Sequence, residues 1–241
     1  MSEPANPRTL NLALLGYGNM GKVIATLAPQ RGFCVARVLD EDSNQDQQGI
    51  TAENLKNIDV ALDFTTPQAV VENIRRVAAL GCNMVVGTTG WMGRLDEVRG
   101  AIESAGTGMV YGANFSIGVQ LFYRAARAMA HMFSVRPEYK PYITEAHHRL
   151  KKDATSGTAL ELKRQVQAEY GAAEIPVASI RAGHIPGTHE IGFDSEADTV
   201  ILRHTARSRQ GFAEGALYAA RWVAGRRGVF NFAEILDATD E

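Results

Sequence analysis

Apolar residues in the first half of the chain fall into short runs separated by amphipathic segments. Leu10–Leu15 is a nearly continuous apolar run that ends in glycine, which predicts a buried parallel strand. Residues 20–31 follow as a predicted helix that Gly32 closes. Further strands are predicted over 34–39, 59–64, 83–87 and 109–111, and further helices over 67–80 and 95–105. Because strands and helices alternate, residues 1–115 are predicted to form a Rossmann-like, doubly wound α/β domain with a parallel sheet.

Two local features refine this first domain. Thr66 is the predicted N-cap of the helix over 67–80, and Pro67 stands at its first helical position. The polar stretch 40–48 has almost nothing apolar to bury, so we expect a surface loop there, followed at most by a short helix.

The pattern changes after residue 115. An apolar helix is predicted over 119–132, and β-like runs follow at 139–146, 177–182, 189–193 and 199–205. One helix over 158–170 interrupts these runs, and Thr158 with Glu161 forms a capping-box pattern at its start. Grouped strands of this kind predict a smaller α+β domain with a mainly antiparallel sheet over 116–211. A helix over 212–224 and a short element over 230–236 complete the chain, and we expect the segment 212–241 to pack back on the first domain.

Composition narrows the class of protein. The 241 residues are 45% hydrophobic and contain no apolar run of membrane-spanning length, and the N-terminus lacks the features of a signal peptide. We therefore expect a soluble cytoplasmic protein that does not act at a membrane. A net charge of -2 gives no general attraction to nucleic acid. Cys34 and Cys82 lie in apolar stretches, which predicts buried free thiols rather than a disulfide.

A glycine signature follows the first predicted strand. It has the G-x-G-x-x-G pattern and comprises Gly16, Tyr17, Gly18, Asn19, Met20 and Gly21. Gly16 permits a tight turn, Gly18 lets the backbone approach a pyrophosphate, and the N-terminus of the next helix offers free N–H groups to phosphates. Asp40 ends the second strand at about the distance expected of a ribose-binding acid. The signature predicts dinucleotide binding, with a structural glycine turn as the alternative.

The residues after Asp40 bear on the type of dinucleotide. Glu41 and Asp42 follow it, and no arginine or lysine is near to receive a 2′-phosphate. Since carboxylates bind ribose hydroxyls but repel a phosphate dianion, we expect NADH to be preferred over NADPH. A solvated acidic loop remains the alternative interpretation.

Two more segments lie where strands of such a sheet end, at the edge where ligands bind in open α/β sheets. Small residues there leave room for a ligand ring, and the Asn114 side chain could hydrogen-bond to a carboxamide. The residues concerned are Gly87, Thr88 and Thr89 after one strand, and Gly112, Ala113, Asn114 and Phe115 after the next. Each segment by itself is equally consistent with an ordinary turn.

A basic segment with two histidines offers the clearest chemistry. His147 and His148 precede Arg149, Lys151 and Lys152, and a Ser-Gly-Thr turn then opens the next helix at residues 156–158. Positive charge and free helix N–H groups together favour a substrate with carboxylates, and a histidine there can donate a proton. A metal site is not expected, because adjacent histidines are poorly placed for one ion. A solvated basic loop and a nucleic-acid patch are further alternatives, the latter weakened by the lack of interleaved aromatic residues.

These residues resemble a known family, the 4-hydroxy-tetrahydrodipicolinate reductases, formerly called dihydrodipicolinate reductases, of diaminopimelate and lysine biosynthesis. The family hallmark runs E-x-H-H-x-x-K-x-D-x-P-S-G-T-A, and this chain matches it at Glu145, His147, His148, Lys151, Asp153, Ser156, Gly157, Thr158 and Ala159. The resemblance covers nearly the whole chain. It includes the glycine signature, Asp63–Thr65, Gly87–Gly90, Ala113–Ser116, Arg181–Gly183 and Ser208–Arg209.

The resemblance implies roles for individual residues. His147 would be the proton donor, and Lys151 would assist proton transfer or hold a carboxylate. His148, Gly157 and Thr158 would bind substrate, with Ser156 as a helper. NADH or NADPH would contact Gly16–Gly21, Asp40, Gly87–Thr89 and Gly112–Phe115, and the protein would be a homotetramer assembled through the second sheet.

Three departures from the family pattern stand out. Thr155 replaces the proline of the hallmark, which removes a fixed φ ahead of the Ser-Gly-Thr turn. The stretch 170–181 is shorter than in many members, and Glu41 stands where some carry an arginine. Two alternatives to the reductase therefore stay open: a related dehydrogenase of the aspartate or homoserine type, and a nucleotide-binding homologue without activity.

Overall fold

The computed structural model describes residues 8–237, and the chain divides into two compact units. The first unit contains the residues up to Ser116 together with those from Phe212 onward, and the second contains Ile117–Gly211. Within the described part of the chain, no helix has the length and apolar character needed to cross a membrane.

The first unit is built on a six-stranded parallel sheet. Its strands are β1 (Leu10–Leu15), β2 (Phe33–Leu39), β3 (Val60–Asp63), β4 (Asn83–Val86), β5 (Gly108–Tyr111) and β10 (Gly228–Asn231), in the order β10-β5-β4-β3-β1-β2. Its helices are α1 (Asn19–Leu27), α2 (Val70–Ala79), α3 (Leu95–Ala105), α6 (Gln210–Val223) and α7 (Phe232–Ile235). This is the predicted Rossmann-like α/β class.

The central strands are buried along their whole length, which explains why their sequences are continuous apolar runs. All four residues of β3 and of β4 are buried, and so are five of the six in β1. The last strand, β10, was missed in the sequence, where only a short element over 230–236 was predicted. Its four residues are all half-buried, so it lacks the apolar run that marked the other strands.

Two local predictions in this unit are wrong. Helix α2 begins at Val70 rather than at Pro67, and its N-cap is Ala69 rather than Thr66. The reason is that the Thr66 carbonyl accepts hydrogen bonds from the N–H groups of Ala69 and Val70, which closes a turn before the helix.

The second wrong prediction concerns the cysteines, both of which were expected to be buried. Cys34 is exposed, because β2 is the edge strand of the sheet, whereas Cys82 is buried as predicted.

The second unit contains a mixed four-stranded sheet and two helices. Its strands are β6 (Lys140–His147), β7 (Val177–Arg181), β8 (Thr188–Asp194) and β9 (Thr199–Thr205), and its helices are α4 (Ile117–Ser134) and α5 (Gly157–Tyr170). The order is β7-β6-β8-β9; the pair β6/β7 is parallel and the other two pairs are antiparallel. The sheet is therefore mainly antiparallel, as predicted.

One face of this sheet packs into the core. Ile143 of β6 and Ile191 and Phe193 of β8 are at most 1% exposed and join apolar residues of α4 and α5 in one cluster. Since side chains alternate along a strand, Glu145 and His147 continue the same inward row beyond Ile143. The inner face of β6 thus changes from core to polar groups at its carboxyl end.

The start of α5 differs from its prediction. Its N-cap is Ser156, whose Oγ accepts a hydrogen bond from the N–H of Ala159, so the helix begins at Gly157. The predicted capping box of Thr158 and Glu161 is wrong, because Glu161 bonds instead to side chains further along the helix, Arg164 and Gln165.

Candidate active site

The glycine signature forms a tight turn between β1 and α1. Gly16 has a φ of +87°, and a Cβ there would lie 2.5 Å from the carbonyl oxygen of Phe64, so only glycine fits. A Cβ on Gly21 would lie 2.4 Å from the Gly16 oxygen, which keeps the turn closed. Gly18 is the N-cap of α1, and the position of its missing Cβ faces open space. A phosphate could therefore approach the backbone at Gly18 and the free N–H groups of the helix.

A cavity of about 690 Å³ lies beside this turn in the first unit. It is lined by the turn, the end of β2, the loop after β2 and the start of α2, with Gly16, Tyr17, Gly18, Asp40 and Asn73 among its residues. Its volume is in the range of sites for drug-sized ligands and cofactors. The structure thus places the glycine signature and the predicted ribose-binding acid around one concave site.

The Asp40 carboxylate is oriented by its own loop. Its Oδ1 accepts hydrogen bonds from the N–H of Ser43 at 2.9 Å and from the Ser43 hydroxyl at 2.6 Å. These bonds from Ser43 lower the pKa of Asp40, so the group is an anion at neutral pH. The loop itself is held by Arg76 of α2, whose Nη1 donates to the carbonyl of Gln47 at 2.9 Å.

A buried carboxylate, for which the sequence predicts no role, connects the ends of two neighbouring strands. Asp63, at the end of β3, is fully buried. Its Oδ1 accepts from the Thr65 N–H and hydroxyl and from the Thr88 hydroxyl, while Oδ2 accepts from the side-chain amide of Asn73. Burial raises the pKa of Asp63 and outweighs the opposing effect of these donors. One side chain therefore ties the turn after β3 to the Gly87–Gly90 turn after β4.

Removing the Thr88 hydroxyl should weaken this connection. Thr88→Val is nearly isosteric but removes one of the two acceptors of the Thr65 N–H and one of the donors to the buried Asp63 carboxylate, so the free energy of unfolding should fall by about 1–2 kcal/mol. Urea unfolding of the protein without ligand measures this change in the free energy of unfolding. Thr107→Val is a matched control: the Thr107 hydroxyl is also buried but has no partner among the described residues, so its loss should not be destabilising. Equal destabilisation by both variants would contradict the argument.

The predicted residues after β4 and β5 lie at the same carboxyl edge of the sheet, because all six strands are parallel. Thr89 and Ala113 are exposed there, and the Asn114 Oδ1 accepts from the N–H of Ser116 at 2.9 Å. Phe115 is only 2% exposed and packs against Phe232, with 4.6 Å between ring centroids. The Phe115 side chain therefore belongs to the core.

In the second unit, the carboxyl end of β6 carries a Glu–His pair. His147 Nδ1 hydrogen-bonds to Glu145 Oε2, and both side chains are buried. Glu145 Oε1 accepts from Arg181 Nη2 at 2.6 Å and from the N–H of Ser156 at 3.4 Å. Burial disfavours ionisation of Glu145, but the bonds from Arg181, Ser179 and His147 outweigh it and lower its pKa to about 2. Glu145 is therefore an anion.

His147 has a pKa below its ordinary value. Burial is the main cause, with Lys151 and Arg181 acting in the same direction, while Glu145 opposes them. Lys151 is mostly buried and pairs with Asp153 at 2.8 Å. A bound dicarboxylate would add negative charge and favour the protonated imidazole, which suits a proton donor that acts only with substrate present.

The Ser-Gly-Thr turn lies next to this pair, as the sequence predicted. Ser156 is buried, contacts His189 Nε2 through its hydroxyl at 3.1 Å and caps α5. Gly157 is exposed, and His148 and Thr158 are half-buried. His189 also packs edge-on against His147, with 5.1 Å between ring centroids. The peptide bond between Ala154 and Thr155 is cis.

Three groups in this cluster are close enough to hold a metal ion. The Glu145 carboxylate and ring nitrogens of His147 and His189 lie within 4.8 Å of one another. The sequence did not predict this set, because only the adjacent histidines His147 and His148 were evident there. The neighbouring Arg181 and Lys151 oppose the binding of a dication at these positions. The expectation that the site works without a metal therefore stays a prediction.

The burial of His189 predicts that folding is sensitive to acid. Burial, with smaller effects from neighbouring charges, lowers its pKa to about 4 from 6.5. Between these values the unfolded chain binds a proton that folded His189 does not, so stability should fall as pH falls from 6.5 to 4, with a slope of up to ~1.4 kcal/mol per pH unit. Urea unfolding across this window should show a shallower dependence in His189→Asn. An unchanged slope would count against a buried neutral His189.

Several residues of these sites carried no assigned role in the sequence. Arg181, His189 and Asp63 come from strands distant in sequence from the motifs that they support. Two of them carried a signal in the sequence, because Asp63 and Arg181 belong to segments that share the family resemblance. His189 had no such signal, because it lies within an ordinary strand pattern.

Known proteins match this chain over nearly its whole length. The family model "Dihydrodipicolinate reductase, N-terminus" matches residues 10–115, and "Dihydrodipicolinate reductase, C-terminus" matches residues 118–236. A 4-hydroxy-tetrahydrodipicolinate reductase of Christiangramia forsetii is 34% identical over 239 residues, covering 94% of this chain and 98% of that protein. The enzyme of the same name from Methanoculleus marisnigri is 38% identical over 187 residues, covering 72% and 73%.

A solved structure shares the fold. The dipicolinate-bound dihydrodipicolinate reductase from Paenisporosarcina sp. TG-14 has a TM-score of 0.79 at 24% identity, covering 94% of this chain and 99% of that chain. Since the two family models together span nearly the whole chain, the chain belongs to the dihydrodipicolinate reductase family of NAD(P)H-dependent oxidoreductases.

Proposed function

We propose that this protein reduces 4-hydroxy-tetrahydrodipicolinate to tetrahydrodipicolinate in diaminopimelate and lysine biosynthesis, with His147 as the proton donor. The observation that carries the proposal is the buried Glu145–His147 pair beside Lys151 and the Ser156 cap of α5. A histidine, a cation and the positive end of a helix together form a site for a carboxylate-bearing substrate that must receive a proton.

The chemistry divides between hydride and proton transfer. Water leaves C4 of the cyclic dicarboxylate first, and a bound nicotinamide would supply the hydride for C4. The electron-rich carbon beside C4 takes a proton from His147. Lys151 assists that transfer or holds a carboxylate, and His148, Gly157 and Thr158 bind substrate with Ser156 as a helper.

We propose that the nicotinamide cofactor binds the first unit. The residues present fit such a group: Gly18 leaves open space beside the turn, and the adjacent cavity is lined by Gly16, Tyr17 and Asp40. Asn19, Met20 and Gly21 form the first turn of α1. The segments Gly87–Thr89 and Gly112–Phe115 would hold the nicotinamide end.

NADH should be the preferred reductant. Asp40 is an anion, and Glu41 and Asp46 also line the cavity, so every charged side chain in its lining would repel a 2′-phosphate. Asp40→Ser should lower the NADH-to-NADPH ratio of kcat/KM by about 10-fold. Asp42→Ser is the control, because Asp42 lies outside the cavity lining and should leave the ratio unchanged. A wild-type preference for NADPH would refute this proposal.

One assay tests the reaction itself. Pyruvate and aspartate semialdehyde are condensed by a synthase, this protein is added with NADH or NADPH, and absorbance of the reduced nicotinamide is followed. Consumption above background supports the reductase. Activity only with aspartate or homoserine as substrate would indicate the related dehydrogenase, and nucleotide binding without any turnover would indicate a non-catalytic homologue.

We propose a homotetramer assembled through the outer face of the second sheet. Ile180 of β7 and Ile201 of β9 are 53% and 48% exposed and both lie on the face opposite to the core residues Ile143 and Ile191. Exposed apolar side chains on a sheet face are typical of subunit interfaces. Sedimentation analysis tests this, and Ile201→Asp should shift the protein toward smaller species.

A further inference from the structure

Arg181 connects the two groups that we assign to proton transfer. Its Nη2 donates to Glu145 Oε1 and to the backbone oxygen of Asp153, each at 2.6 Å. Glu145 in turn contacts His147, and the Asp153 carboxylate pairs with Lys151 at 2.8 Å. One guanidinium therefore holds both the partner of His147 and the loop that carries Lys151.

The register of the sheet makes this contact possible. In the parallel pair β6/β7, Arg181 lies opposite His147 and Ser179 lies opposite Glu145. The Arg181 side chain is 18% exposed and that of Glu145 is fully covered. Removing either charge would leave the other buried and unpaired, which is destabilising.

The charged and titratable groups around His147 come from every neighbouring element. Glu145 faces it from β6, Arg181 from β7, His189 from β8, and Lys151 from the loop after β6. Glu145 is the one anion among these four neighbours. It alone counteracts the burial and the cations that disfavour the imidazolium form of His147.

We propose that Glu145, held in place by Arg181, is the positioning residue that keeps a proton on His147 Nδ1 and leaves Nε2 as the atom that gives its proton to the substrate. The proposal rests on the proposed role of His147 as proton donor. A carboxylate can only accept a hydrogen bond, so the ring nitrogen that contacts it must carry hydrogen. In the imidazolium form the second proton is then on Nε2, where the N–H bond breaks as the new C–H bond forms.

The backbone around His147 is consistent with this assignment. A Cβ on Gly187 would lie 3.1 Å from His147 Nε2, and Gly187 has a φ of +148°, a conformation that L side chains rarely adopt. Glycine at this position therefore keeps a side chain away from the nitrogen that must meet the substrate.

Glu145→Gln tests the proposal through turnover. The neutral amide no longer fixes the Nδ1 proton or stabilises the imidazolium, so kcat should fall by about 10- to 50-fold with KM changed less. His147 is active in its protonated form, and its pKa would drop in this variant. The high-pH limb of the plot of kcat against pH should therefore move to lower pH by about one unit. Arg181→Lys keeps the anion and should show a smaller loss of kcat.

Glu169→Gln is the matched control. Glu169 also accepts hydrogen bonds from an arginine and a histidine, Arg127 at 3.0 Å and His131 at 3.1 Å, but it joins α4 to α5 on the exposed side of the unit. Its loss should leave kcat and the pH profile unchanged. An equal effect of both substitutions would show that Glu145 acts only on stability.

A measurement without turnover separates this proposal from the reaction on which it rests. Nitrogen-15 NMR of histidine-labelled protein should show His147 protonated at Nδ1 in the wild type, and Glu145→Gln should lower its pKa and redistribute the tautomers. If His147 keeps its tautomer and pKa in that variant, the positioning role is refuted whatever the substrate proves to be. If NMR agrees but the wild type does not reduce the proposed substrate, the function fails and the positioning role stands.

Discussion

Replacing His147 by glutamine should lower kcat by ~100-fold or more, which corresponds to at least ~2.7 kcal/mol of lost transition-state stabilisation. Glutamine has a similar size and can still hydrogen-bond to Glu145, but it has no proton to give at neutral pH. KM should change less than kcat, because the proton moves only in the chemical step. Steady-state kinetics with NADH and the condensed substrate measure both.

His131→Gln is a suitable control for this experiment. His131 also pairs with a glutamate, but its side chain is 77% exposed on α4 and contacts Glu169. The substitution there should leave turnover near the wild-type value. Near-normal kcat in His147→Gln would remove His147 from the acid role, and a large loss in both variants would indicate a general loss of folded protein.

The second large effect is expected at Lys151. Lys151→Gln should also lower kcat by ~100-fold or more, since it removes the mostly buried cation next to His147 that assists proton transfer or holds a substrate carboxylate. KM should rise more than it does in His147→Gln, because a charge that holds the substrate contributes to binding as well as to the chemical step.

Lys152→Gln provides the matched comparison, because Lys152 is the adjacent lysine and is exposed. The Lys152→Gln variant should retain most of the wild-type activity if the reaction needs a positive charge specifically at position 151. If both lysine variants lose activity equally, the segment attracts substrate only through its total charge, and a specific role for Lys151 is excluded.

The order of strands and helices was predictable from the sequence, because burial on both faces of a parallel sheet imposes continuous apolar runs that glycines and polar loops interrupt. Strand β1, helix α3 and strand β9 agree closely with their predictions. The exceptions are positions at an edge or a helix start. The edge strand β10 has no apolar run, and the start of α2 is set by backbone bonds to Thr66 rather than by a capping side chain.

The sequence by itself determined the chemistry that each motif can offer. Gly16 has no Cβ and can therefore enter a tight turn, Asp40 can only accept hydrogen bonds once ionised, and His147 can carry a proton near neutral pH; each of these follows from the residue type alone.

Only the tertiary structure decided which groups meet. Arg181 contacts Glu145, His189 contacts Ser156, and Asp63 contacts Thr88. The two residues of each pair lie between 25 and 36 positions apart in the sequence, and their contacts are 2.6 to 3.1 Å long. The register of β6 against β7 sets the contact between Arg181 and Glu145, and the pairing of β3 with β4 brings Asp63 close to Thr88. Register depends on how whole strands pack rather than on any local pattern. That is why the sequence could predict a proton donor at His147 but not the carboxylate, guanidinium and second imidazole that surround it.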